Sequence, residues 1–226
     1  MTVLRRGGTS GAEEMTDDDR FKLERVAFFS DAIFAIAATL LIIDLRLPEV
    51  VGRLTDGELL EALLELAPGY YGFLVSFVVI GLYWAAHHLT LGRFVRYDPA
   101  LPYVNLPVLF CIAVLPFPTA VLGQYSYLPL AVILYAAWMA LTGLAATGMY
   151  VWASRGRRLL PSDVSDAWIR ERTWISLSVP LAFSISIPIA VVSPLIAQIA
   201  WWPLVALLNI LVARRFEQSR VPAEAA

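Results

Sequence analysis

The chain has little of what a soluble domain needs. Charged residues make up 16% of its 226 positions and hydrophobic ones 59%, against about 25% and roughly 45–50% in ordinary soluble domains. That leaves too little polar surface to cover a globule of this size. Cysteine occurs once, as Cys111, which excludes an intramolecular disulfide and removes the basis for a thiolate metal site. The two histidines, His87 and His88, are adjacent; neighbours on a helix point in different directions, so no metal site built from both is expected. No large basic cluster is present, and a net charge of −2 gives no reason to expect a nucleic-acid partner. Serine-nucleophile, P-loop and dinucleotide-binding signatures are missing, so the chain reads as a non-enzyme without cofactor or metal. Residues 1–20 also lack a charged segment followed by a short apolar core, and the first apolar run is expected to remain in the mature protein.

What is present is a series of apolar stretches long enough to span a bilayer, at about 20 residues each. Six are read, over residues 26–46, 69–92, 101–123, 127–152, 173–193 and 195–213. The expected fold is an all-α integral membrane protein, with a polar tail over 1–20, a spanning domain over 21–215 and a second tail over 216–226. Thr16 or Asp17 is placed to cap a helix that runs through Phe21–Arg25 into the first span. The third span carries Pro102, Pro107, Pro116 and Pro118, and the fifth Pro180 and Pro188; these are expected to kink helices, not break them. Between the first two spans, Glu49–Leu66 sets leucines against glutamates at helical spacing, the pattern of a short amphipathic helix at the membrane surface. Of 17 Lys and Arg residues, only Arg46 and Arg53 fall on the side opposite the N-terminus. The positive-inside rule therefore puts both termini in the cytoplasm, in a multi-pass protein of the cell membrane.

The first span is the most informative segment. From Val26 to Ile43 its only polar side chains are Ser30, Asp31 and Thr39. A carboxylate inside a spanning helix is costly unless it faces protein or water and has a partner, so Asp31 marks a candidate functional site. At 100° per residue, Phe29, Ile33, Ile36, Leu40, Ile43 and Leu47 fall within an arc of about 80°. The spacing alternates four and three, as in helices packed about a common axis. Thr39 flanks this seam and Asp31 lies more than about 120° from it. Ala32, Ala35, Ala37 and Ala38 offer small surfaces for close helix approach. The same spacing suits a lipid-facing or core stripe, and Asp31 also suits a structural carboxylate bonded within the bundle. In the second span, Trp84 and His87 share a face, and His87 lies at the depth of Asp31, where a hydrogen bond between the two is feasible.

The segment Arg25-x-x-x-Phe29-Ser30-Asp31, continuing Ala-Ile-Phe-Ala-Ile-Ala-Ala-Thr-Leu-Leu-Ile, resembles the first helix of prokaryotic members of the transmembrane protein 175 family. Trp84-x-x-His87-His88 and Leu115-Pro116-Phe117-Pro118 are similar to the family pattern too, and the resemblance runs from about Phe21 to Arg215. The family's members are potassium-permeable channels without the Thr-Val-Gly-Tyr-Gly filter, which is absent here as well. The resemblance implies a homotetramer whose first helices line a central pore for potassium ions. Carried over by position, Ile36, Leu40 and Ile43 form its narrow rings, with Thr39 beside the first. Arg25, Phe29, Ser30 and Asp31 belong to the motif, and the inner end of the first helix is held to the second span through Trp84 and His87. The Phe-Ser-Asp triplet occurs once, so one chain has too few seam helices to enclose a pore and an oligomer is required. The alternative reading is a secondary transporter, with Asp31 and His87 as a relay if it is proton-coupled; neither internal repeats nor broken helices are evident to favour it. A membrane-embedded enzyme with a His-based site needs polar residues converging at one depth, and only the scattered Asn105, Gln198 and Asn209 are available.

Overall fold

The computed structural model describes residues 15–46 and 55–218. They form α1 (Asp17–Leu40), α2 (Asp56–Glu65), α3 (Ala67–Leu91), α4 (Leu101–Val114), α5 (Pro116–Tyr125), α6 (Pro129–Ser154), α7 (Asp166–Val192) and α8 (Pro194–Gln218). The described residues contain six segments long and apolar enough to cross a membrane, with α4 and α5 together making the third. Leu47 and residues 49–54 of the expected surface helix lie outside the described residues.

Local chemistry accounts for the helix starts. Thr16 caps α1, its hydroxyl accepting from the Asp19 amide at 3.2 Å, and the acidic first turn suits the positive end of the helix dipole. Thr55 and Glu58 form a reciprocal capping box on α2. The backbone and hydroxyl of Thr55 bonded to the Glu58 carboxylate hold its pKa below the ordinary value. Leu59, Leu60, Leu63 and Leu64 of α2 are all exposed, as an interfacial helix requires. Ser165 caps α7 through the Trp168 amide, so this helix starts at Asp166 instead of 173; its first two turns carry Arg170 and Arg172 and fall outside any apolar window.

In the third span the hydrogen-bond ladder is interrupted at Leu115, between α4 and α5. Pro116 and Pro118 have no amide hydrogen to donate. The carbonyl of Ile112 is taken instead by the Leu115 amide at 3.2 Å, and that of Leu115 by both the amide and the hydroxyl of Thr119. Leu115 keeps helical dihedrals of −54° and −32°, so the backbone stays helical through the interruption, as expected of prolines that do not break the span. Pro107, Pro180, Pro188 and Pro203 sit inside uninterrupted helices.

The main core joins α1 and α3–α8, with Phe34, Val79, Leu115, Tyr135, Phe183 and Trp201 among its buried side chains. Tyr135, Phe183 and Trp201 pack as an aromatic trio, with Tyr135 and Trp201 stacked at 5.1 Å between centroids and Phe183 meeting Tyr135 edge-on. A close approach of α3, α6 and α7 occurs at Gly143, where a Cβ would lie 2.6 Å from Pro180 and 3.1 Å from the Tyr83 hydroxyl. A second cluster of Leu23, Leu91, Phe94, Leu101, Leu159 and Leu160 closes the arginine-rich end.

Candidate functional site: the first helix and its polar ties

Helix α1 packs against α3 and α4 through one side only. Ser30, Phe34, Ala37 and Leu41 on that side are buried. Phe29, Ile36, Leu40 and Ile43 are exposed at 55%, 58%, 39% and 51%, while Ile33 is half-buried against the core. The exposed surface extends from this seam over Ala32, Ala35 and Thr39. The small residues thus divide: Ala32 and Ala35 are open, Ala37 and Ala38 pack inward. Thr39 turns its hydroxyl back to donate to the Ile36 carbonyl at 2.8 Å.

Residues Leu41–Asp44 form a turn of 3-10 helix, which alters the seam's geometry. At three residues per turn, side chains three apart eclipse one another. Ile43 therefore stays in line with Leu40, where a continued α-helix would carry it about 60° round.

Two polar ties hold the other side. The hydroxyl of Ser30 donates to the Val26 carbonyl at 2.8 Å and accepts from Nδ2 of Asn105 on α4 at 2.9 Å. Both residues are buried, and a buried polar pair of this kind is costly to leave half made. One residue further on, Asp31 accepts from Nε1 of Trp84 on α3 at 2.8 Å. An indole N–H to a carboxylate is a charge-assisted bond.

The hydrogen bond expected between Asp31 and His87 is not formed. Trp84, one turn earlier on α3, occupies the carboxylate, while the His87 ring sits 5.5 Å from that of Phe34. Among the described residues Nε2 of His87 has no hydrogen-bond partner. Arg25 is exposed and stands over the Phe21 ring at 5.8 Å, apart from the Asp31 tie. Asn105 is the tie residue that sequence reasoning passed over as scattered. The signal was available: an amide near the start of the third span lies at the depth of Ser30.

Comparison with known proteins bears on the same half of the chain. Residues 25–116 match the family model described as the endosomal/lysosomal potassium channel TMEM175. A potassium channel of Streptomyces collinus is 46% identical over 101 residues, 45% of this chain and 48% of that protein. An endosomal/lysosomal proton channel TMEM175 of Gallus gallus is 37% identical over 108 residues, 46% of this chain and 22% of that one. The matched stretch spans about half the length of the curated bacterial relatives. A crystal structure of a lysosomal potassium-selective channel TMEM175 homologue from Chamaesiphon minutus superposes with a TM-score of 0.68 and 25% identity, over 87% of this chain and 98% of that one. The similarity in sequence is concentrated in α1–α4, and the similarity in fold runs on through the later helices.

Proposed function

We propose that this chain, a relative of the TMEM175 family through residues 25–116, assembles as a homotetramer in the cell membrane and conducts potassium ions passively along its first helices. The observation that carries the reading is the open face of α1. Bulky aliphatic side chains at Ile36, Leu40 and Ile43 are exposed on a helix whose opposite side is fixed by two interhelical hydrogen bonds. Four copies of such a face about one axis form stacked apolar rings, narrow enough to exclude water when closed and to pass ions when wetted. Ala32 and Ala35 on the same exposed surface let neighbouring helices approach closely. Both termini are assigned to the cytoplasm on the distribution of Lys and Arg. Asp31, engaged by Trp84 and not by His87, lends no support to a proton relay between the two.

The test is ion flux from purified protein in liposomes loaded with potassium, sodium or a pH indicator, with Ile36→Asn beside the wild type. A potassium flux whose rate or selectivity changes in the variant is expected. Well-folded tetramers that pass no potassium, or a flux indifferent to Ile36→Asn, Leu40→Ala and Asp31→Ala alike, would overturn the assignment. A proton flux without a potassium flux would move the activity to that of the vertebrate relatives.

A further inference from the structure

Away from α1, an apolar cavity of about 350 Å³ lies between α3, α6, α7 and α8. Val79, Met139, Phe183 and Trp201 are among its walls. Its other end is different. There Arg93, Trp168 and Arg172 line the opening, with the Arg93 guanidinium 4.7 Å from the Trp168 ring centre and that of Arg172 5.3 Å from the same ring. A guanidinium stacked on an aromatic face keeps its N–H edge open to a phosphate or carboxylate. Both arginines are exposed. Two further lining residues carry buried polar atoms with no hydrogen-bond partner among the described residues, the Tyr150 hydroxyl and Nε2 of His87. Both are more than nine-tenths buried. Two positive charges at the mouth, an apolar interior and orphaned polar atoms between them describe a site for an anionic amphiphile.

The depth fits a lipid. Along α7, from Arg172 to Phe183, the helix rises about 16 Å, against about 15 Å for one leaflet's hydrocarbon. We propose that the cavity holds one anionic phospholipid from the leaflet at the arginine-rich end, its phosphate between Arg93 and Arg172 and an acyl chain running toward Trp201. Charge complementarity selects the headgroup, and the walls select the chain. This assignment is independent of conduction.

Native mass spectrometry of the full chain in detergent tests it, with phosphatidylglycerol or phosphatidylcholine of identical acyl chains supplied as the probe. The wild type is expected to retain the phosphatidylglycerol adduct at least about tenfold better, a difference of about 1.4 kcal/mol. The double variant Arg93→Gln/Arg172→Gln should lose that preference. Arg155→Gln, at the same end but outside the cavity, should keep it. Ala146→Phe, which fills the cavity and leaves both arginines in place, should lose both adducts, and it tests the site even if the double variant does not fold. Equal retention of the two lipids by the wild type, or an unchanged preference in both cavity variants, would overturn the proposal. So would inorganic phosphate raising the melting temperature as much as the lipid does, since that would assign the arginines to a free anion. An assembled protein that retains no lipid because a second copy closes the cavity would overturn it too.

Discussion

The two faces of α1 obey different rules. One face buries Phe34, Ala37 and Leu41 and is bonded to α4 and α3 through Ser30 and Asp31; the other leaves Phe29, Ile36, Leu40 and Ile43 uncovered. In a bilayer the uncovered face is not unstable for being apolar, because lipid tails are as apolar as leucine and supply no hydrophobic drive for packing. What fixes the position and rotation of α1 is therefore the side with shape and hydrogen bonds. The exposed side is free to meet lipid, water or copies of itself. On this view stability and conduction are carried by opposite faces of a single helix, and substitutions can separate them.

The largest effect is expected at the centre of the buried face. Phe34 is 2% exposed and packs beside His87, so Phe34→Ala should cost about 3 kcal/mol by opening a cavity. Thermal unfolding in detergent should show a clear drop in melting temperature and loss of the assembled species. An unchanged melting curve would mean that α1 is not anchored through this side. Ser30→Ala should cost less, about 0.5–2 kcal/mol, because it leaves the Asn105 amide without its acceptor. Adding Asn105→Leu should recover part of that loss, since removing both partners is cheaper than removing one. Without such recovery, the Ser30–Asn105 bond is not what stabilises the pair. Asp31→Asn keeps an oxygen for the Trp84 indole and should assemble nearly as the wild type does. Asp31→Ala and Trp84→Phe should each lower flux or tetramer yield, by similar amounts and without adding to each other. Additive losses would show that the two side chains act separately.

Much of this arrangement was legible in the sequence, and its limits are physical. Span number followed from apolar length, and residue type and position narrowed the cap of α1 to Thr16 or Asp17, of which Thr16 forms it. A carboxylate at Asp31 had to find a partner, and it does. Which partner was not legible, because Trp84 and His87 lie one turn apart on one face of α3, and a small helix rotation decides between them. Asn105 could be placed in depth but not in azimuth, so its bond to Ser30 emerged only from packing. Proline content did not predict the interruption at Leu115 either. Pro180 and Pro188 in α7 lie more than two turns apart and leave that helix whole, whereas Pro116 and Pro118 remove two amide donors from a single turn. The start of α7 at Asp166 was hidden because its charged first turns do not belong to an apolar window. Beyond residue 116, outside the family match, the described bundle packs aliphatic and aromatic side chains into one core and passes closely at Gly143. Such packing tolerates substitutions that conserve volume, and that is a physical reason for likeness of fold to outlast likeness of sequence.

The smallest effect on stability, and the most telling on function, is expected at Ile36. Its side chain is 58% exposed and touches none of the ties that fix α1. If the uncovered face met lipid in the assembled protein, an asparagine there would have to bury an amide in hydrocarbon without a fixed partner, and insertion or assembly should suffer. If the face lines a conduit, water reaches the new amide when the rings open. Ile36→Asn should then shift stability by no more than about 0.5 kcal/mol, the range typical of exposed substitutions away from special features. Flux should rise or lose its ion preference, because a polar group wets a constriction that apolar rings keep dry. Melting temperature and liposome flux measured on one preparation decide the matter. An intact melting curve with altered flux puts the seam on the ion path, and a depressed melting curve with unaltered residual flux puts it against lipid.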